Sequence, residues 1–271
     1  MLTELEFHGC VATLDMLGFS SRASRRTPSQ TVDEMVGPLL HTALLAQVVF
    51  ESDLEHHVEY SRLDFLYFAD TLVLYLPQDP DTIHSTPALV LESMVYTTML
   101  VAATSMWLNI PVRGAIAYGD CVVCRDPLYF VGDAFLESHE LEEQQDWAGI
   151  VLCDSARKYI ADESPRLVEW NVPLKGGVVR SMLAVNWPGA AKRPESFWVG
   201  SDPPPQDTET EPDWDACFSS SSPDVAAKKQ NTVEFFNASP NHVDVGVGPE
   251  QRESAKNWRE FYASRRNPDR L

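Results

Sequence analysis

Two apolar runs that each stop at a lone aspartate constrain this chain more than anything else in it. Val11-Ala12-Thr13-Leu14 reads as a buried strand ending at Asp15. LDFLYFADTLVLYL, residues 63–76, reads as two strands folded about Ala69, with Asp70 at the tip. Asp is an ordinary turn residue, and an edge carboxylate beside a capped helix is the plain reading of either position alone. The pair says more. Both aspartates sit at strand ends with one long helix between them, a spacing that brings them to one edge of a sheet. Two carboxylates meeting there repel unless cations lie between them, and hard divalent ions are the usual partners.

Asp15 is followed by Met16-Leu17-Gly18-Phe19-Ser20. Gly18 allows a tight turn, and Ser20 or Ser21 can cap the helix that follows. Free N–H groups at such a helix start make a phosphate cradle. Arg22, Arg25 and Arg26 come next, either as a solvated loop or within reach of phosphates.

Val32, Met35, Val36, Leu39, Leu40 and Leu44 recur at three- and four-residue steps, predicting a helix from near Ser29 to about Glu55, kinked or divided at Gly37-Pro38. A second helix is predicted over 88–107. A strand over 111–119 follows, with 121–124 as its hairpin partner. The pattern continues with a helix from Gly132-Asp133 to about Gln145, a strand over 149–152 and a short helix capped by Ser155. Strands over 166–172 and 180–186 close the order, joined by a Pro173-Leu174-Lys175-Gly176-Gly177 turn. This is an α+β order: a mixed sheet with helices on one face. Residues 188–224 are rich in proline, serine and acids and read as a linker; 225–238 and 250–265 read as helices that pack on the domain or on a partner subunit.

The formal net charge of −19 over 271 residues argues against general nucleic-acid binding and against anionic membranes. A nucleotide would have to be held by a few local cations and metal ions. No run of 18 apolar residues occurs, and MLTELEFHG lacks the basic start and apolar core of a signal peptide, so a cytoplasmic protein is expected. Five cysteines form no disulfide framework. Cys121 and Cys124 make a CxxC without a second ligand pair, and read as buried thiols before zinc ligands.

LDMLGFS resembles the first metal motif of class III nucleotidyl cyclases, and YFADTLVL their hairpin metal motif. VRGAIAYGD is similar to the next strand of that family, VGDAFLESHELEE to its next helix, and PLKGG to its lysine turn. The likeness keeps motif order over about residues 5–187, and is strongest to the bacterial pyrimidine cyclases of antiphage (Pycsar) systems. It implies a ferredoxin-like catalytic domain over 5–187, a linker over 188–224 and a helical extension over 225–271. It also implies a homodimer with sites at the shared interface, Asp15 and Lys175 of one site lying on different chains. Asp15, the backbone carbonyl of Met16 and Asp70 would hold two divalent ions, Mn²⁺ or Mg²⁺. Gly18, Phe19 and Ser20 would cradle phosphates through their N–H groups, and Lys175 would meet them as a point charge. The ribose 3′-oxygen would attack the α-phosphorus, giving a 3′,5′-cyclic nucleotide and pyrophosphate.

One departure stands out. The family's helix carries an Asn and, four residues later, an Arg that stabilises the transition state; here those places hold Leu136 and Glu140. Arg22, Arg25 or Arg113 would have to replace them, or the domain binds nucleotide or dimerises without catalysis. Arg113, inside a strand, has the alternative of pairing with a neighbouring carboxylate. The family's purine-reading position, four before the second aspartate, is Leu66, flanked by Phe65 and Tyr67. Aromatic bulk, with Tyr67 in the pocket, favours a small base: UTP first, CTP second, a purine third. The product, cyclic UMP, would be an alarm signal read by a separate effector protein.

Overall fold

The computed structural model describes residues 4–53, 63–79, 85–160, 164–192, 211–220 and 222–240. Strand β1 (Glu4–Met16) is its spine. It pairs antiparallel with β3 (Thr71–Pro77) on one side and with β4 (Val112–Arg125) on the other. From Cys10 to Leu14 every β1 side chain is buried, so both faces of the sheet are covered there.

The remaining strands are β2 (Asp64–Phe68), β5 (Leu128–Gly132), β6 (Ile150–Leu152), β7 (Leu167–Leu174) and β8 (Val178–Val185). The sheet runs β2-β3-β1-β4-β6-β8-β7, with β5 pairing the far end of β4. Only the β4–β6 pairing is parallel, so the sheet is mixed. The pattern predicts a hairpin with one strand over 111–119 and the other over 121–124. The fold instead has one strand of 14 residues, because the Gly119-Asp120 step pairs with Gly9 and His8 on β1; the hairpin partner is β5. Cys121 and Cys124, three apart on that strand, point to opposite faces, which no common metal can bridge. All five cysteines are free and buried.

Helix α3 (Gly37–Asp53) and helix α4 (Pro87–Trp107) pack on each other and cover the face of Leu76. Helix α5 (Asp133–Gln144) lies on the opposite face, where Ser138 hydrogen-bonds Thr13 at 2.7 Å. By length and composition α4 is apolar enough to cross a membrane, but it is buried within the fold as a core helix. The helix predicted from Ser29 starts earlier. Thr27 and Gln30 form a capping box with Pro28 at the first position of α2 (Pro28–Thr31). At Gly37-Pro38 the path widens into a π-turn over Val32–Val36, whose end sends the Gly37 N–H to the Val32 carbonyl. Pro38 has no N–H to give and its ring crowds the preceding turn, and the extra residue relieves both.

Residues 188–224, read from composition as a linker, hold two short helices at their described ends. Helix α7 (Trp187–Ala191) is fully buried, and α8 (Trp214–Cys217) places Cys217 in the core. Between α5 and these lies α6 (Asp154–Arg157). Helix α9 (Pro223–Ala238), capped by Ser222, buries Phe235 and Phe236 against Trp147, Trp170, Trp187 and Trp214. The helix predicted over 250–265 lies outside the described residues.

Candidate active site

Backbone hydrogen bonds decide where the two aspartates lie. Asp15 is the penultimate residue of β1, opposite Thr71 on β3 and Arg113 on β4. The Met16 N–H donates to the Asp70 carbonyl at 2.9 Å, tying the tip of the β2–β3 hairpin to the end of β1. The two aspartates therefore meet at one sheet edge.

The charges around Asp15 oppose one another. Burial raises its carboxyl above the usual range, Arg113 pulls it back down, Asp70 pushes it up again, and Lys175 lowers it. Arg113 Nε donates to Asp15 Oδ2 at 3.0 Å, and its Nη1 donates to the Gln145 carbonyl at 3.1 Å. The same Nε lies 2.7 Å from Glu142 Oε1 on α5. An Nε carries one hydrogen and Asp15 takes it, so Glu142 Oε1, though in ion-pair contact, has no hydrogen-bond partner. The Glu142 side chain is only 3 % exposed. Its carboxyl is pushed up to about 7, chiefly by burial, with Asp15 and Glu143 adding and Arg113 opposing.

Arg113 thus takes the course left open for it as a strand residue: it pairs with neighbouring carboxylates. Arg22 is spoken for as well, since its Nη2 donates to the Ala216 and Cys217 carbonyls of α8 at 3.0 and 2.8 Å. Both guanidinium groups are thus engaged by groups of the fold, although Arg22 Nε is buried without a hydrogen-bond partner. Arg25 is exposed on the loop after α1 (Phe19–Ala23). Leu136 and Glu140 lie on the outer side of α5, Leu136 being 54 % exposed.

Gly18 adopts the left-handed conformation (φ 72°, ψ 15°) that turns the chain from β1 into α1. No side chain caps this helix; the Ser21 hydroxyl instead donates to the Gly18 carbonyl at 3.0 Å. Gly18 and Ser20 are exposed, Phe19 is half-buried and Met16 is buried. Lys175 is exposed on a turn, Lys175–Gly177, whose two glycines have φ of 77° and 74°. Leu174 bridges to Gln145, the residue that holds Arg113, so the lysine turn stands beside Asp15 in the same chain. Lys175 also lines an open cleft of about 410 Å³ with Glu140, Glu143, Gln144, Leu174 and Val178.

The pocket assignment of Tyr67 is corrected by register. Directly paired residues of a sheet share a face, and neighbours along a strand alternate. Tyr67 pairs with Leu72, which pairs with Leu14, so Tyr67 points away from the Asp15 face. Its ring meets Phe19 edge-on at 6.5 Å, and burial with Asp70 pushes its phenol up to about 12. Leu66 pairs with Val73, which pairs with Thr13, so Leu66 and Phe68 share the face of Asp15.

Among the described residues no three His, Cys, Asp or Glu side chains converge on one point. Asp15 and Asp70 are nevertheless a fitting donor pair for hard divalent ions, which need only one or two carboxylates when phosphate oxygens complete the shell. Their mutual repulsion, felt at Asp15, is what such an ion would relieve. Glu142 lies within the VGDAFLESHELEE helix, but the resemblance gives it no role at the site. It sits on the buried stripe of α5 with Ala134, Ser138 and Leu141, and a carboxylate on such a stripe is the signal that could have found it.

No protein-family model matches this sequence, and no curated protein matches it. Among solved structures, the chain is similar to the catalytic core of a rhodopsin-guanylyl cyclase with converted specificity, in complex with ATPαS. The two are 14% identical, with 67% of this chain and 97% of that one covered at a TM-score of 0.44. It is also similar to the guanylate cyclase domain of RhGC from Catenaria anguillulae in complex with GTP: 13% identical, 67% and 97% covered, TM-score 0.43.

Proposed function

We propose that this chain is a cytoplasmic pyrimidine nucleotide cyclase that converts UTP to 3′,5′-cyclic UMP and pyrophosphate. The observation that carries the reading is the meeting of Asp15 and Asp70, locked by the Met16–Asp70 backbone bond, with Lys175 beside them. A triphosphate would enter with its phosphates toward Lys175 and the backbone N–H groups of Gly18, Phe19 and Ser20. Two divalent ions, Mn²⁺ or Mg²⁺, when held by Asp15, the Met16 carbonyl and Asp70, would offset the triphosphate charge and supply Lewis acidity for attack of the 3′-hydroxyl. As the 3′-hydroxyl proton passes to water, the bond from the 3′-oxygen to the α-phosphorus forms and the bond to pyrophosphate breaks. Without metal, Arg113 orients Asp15 through its Nε hydrogen bond.

Pyrimidine preference is supported by Leu66, which on the Asp15 face offers neither cation nor amide to a purine edge. The likeness of LDMLGF to Pycsar cyclases supports a messenger role in antiphage defence, with a separate effector reading the product. Exposed Val178, 56 % accessible beside the lysine turn, is an apolar contact suited to a homodimer. A second reading, cytidylate cyclisation, shares every one of these supports. A third has its own: with Arg22 and Arg113 engaged and Glu140 where the family carries Arg, the domain would bind nucleotide without turning it over.

Incubation with the four ribonucleoside triphosphates and Mn²⁺, followed by product separation, tests all three. Cyclic UMP as the main product is expected. Cyclic CMP would move the specificity, equal turnover of purines would remove the Leu66 argument, and no cyclic product would leave the non-catalytic reading.

A further inference from the structure

We propose that Glu142 is a positioning residue: it is the second seat of Arg113, taking the guanidinium's Nε hydrogen from Asp15 when a divalent cation binds there. This rests on the reading of Asp15 as a metal carboxylate.

Three observations carry it. Arg113 Nε stands 3.0 Å from Asp15 Oδ2 and 2.7 Å from Glu142 Oε1, so two carboxylates compete for one hydrogen. Glu142 Oε1, the closer of the two, is buried and goes without a hydrogen bond while Asp15 holds Arg113. A buried acceptor left unpartnered beside a donor is costly, and a second arrangement in which it is satisfied is the natural release. The guanidinium is meanwhile pivoted by its Nη1 on the Gln145 carbonyl, and Gln145 is itself fixed. Its side chain donates to the Gly114 carbonyl at 2.7 Å and accepts from Trp147 Nε1 at 2.8 Å. With that pivot, a tilt of the guanidinium plane re-aims the hydrogen without moving the nitrogen far.

The cation supplies the direction. A divalent ion on Asp15 repels the guanidinium beside it and withdraws the charge that made Asp15 the better acceptor. Glu142, held in the same low-dielectric seam, takes the positive charge and keeps it from opposing the metal. Without an anion at position 142, Arg113 has nowhere to retreat and competes with the metal for Asp15. His139 Nδ1, 3.6 Å from Glu142 Oε2, is the other group facing the carboxylate from α5.

The test is Mn²⁺ binding at pH 8, where Glu142 is ionised, to the full chain without nucleotide, followed by the electron paramagnetic resonance of free Mn²⁺, in the wild type and in Glu142→Gln, Glu142→Asp and Asp15→Ala. Glu142→Gln is expected to weaken Mn²⁺ binding at least tenfold while its melting temperature stays equal to or above that of the wild type. Glu142→Asp, which restores the anion, is expected to recover most of the affinity. A residue that only props up α5 would lower the melting temperature and leave the Kd of the folded protein alone. Binding within twofold of the wild type in Glu142→Gln, with Asp15→Ala losing it, overturns the second seat and leaves the metal reading standing. Wild-type binding that survives Asp15→Ala overturns both.

Discussion

Two regions of this molecule are built on opposite principles. At the sheet edge, Asp15, Asp70, Arg113 and Glu142 crowd charges into a partly dry seam, where one guanidinium stands between two carboxylates and Glu142 Oε1 goes without a hydrogen bond. Around α9, Phe235 and Phe236 fill a space walled by Trp147, Trp170, Trp187 and Trp214, with ring centroids 4.8–6.2 Å apart. The first region spends stability to keep a reactive arrangement, and the second supplies stability without touching it. They are joined by a short polar splice. Thr232 accepts from the Ala148 N–H at 2.9 Å, Asn231 donates to the Asp146 carbonyl at 2.9 Å, and Lys228 pairs with Asp146 at 2.8 Å. These grip the chain just after Gln145, the residue on which Arg113 pivots. The difference teaches that helix α9 is part of the site's foundation while its described residues contribute no group to the chemistry.

The contrast breaks most visibly at its extremes. Asp70→Ala is expected to abolish turnover while the melting temperature holds or rises, since one member of a like-charge pair is gone. Product chromatography and a thermal melt on the same sample check both halves, and full activity would remove Asp70 from the site. Phe235→Ala should do the reverse. It is expected to cost about 3–5 kcal/mol by denaturant titration, from lost burial and the cavity left behind. A cost below about 1 kcal/mol would mean that the aromatic cluster is not tightly packed.

A pH series sharpens the comparison. The Glu142 carboxyl is raised from 4.5 to about 7 in the folded chain, so the native state holds a proton there that the unfolded state has released. Stability from this group is therefore lost as pH rises from about 5 to about 8, by on the order of 2 kcal/mol. Glu142→Gln should lack that loss and melt higher than the wild type at pH 8; identical pH slopes would contradict it. Thr232→Val is the smallest step, about 1–3 kcal/mol, because it strands the buried Ala148 N–H. It should reach the site only through the splice, lowering kcat with KM little changed.

What was legible in the sequence was local. The run into Asp15, the hairpin about Asp70, the largely apolar α4 and the lysine turn each announce themselves locally, and each lies where its pattern puts it. What was not legible depended on partners far along the chain. Gly119-Asp120 has turn chemistry, yet β1 pairs straight across it. Tyr67 and Leu66 differ only in which side of an edge strand they take, and that is fixed by the register with β3 and β1. Arg22 is a loop arginine until α8, nearly two hundred residues on, presents two carbonyls to it. Glu142 hid within a run of acids on a helix, where only its phase relative to Ala134 and Ser138 marks it as buried.

The most direct measurement is a crystal of the chain grown with Mn²⁺ and a non-cyclisable UTP analogue, read by anomalous scattering at the manganese edge. Two peaks between Asp15 and Asp70, each within about 2–2.3 Å of carboxylate and phosphate oxygens, are the expected result, with the triphosphate lying toward Lys175 and the uracil against Leu66. Manganese peaks away from both aspartates, or a nucleotide bound with none between them, would contradict a cyclase site at this sheet edge.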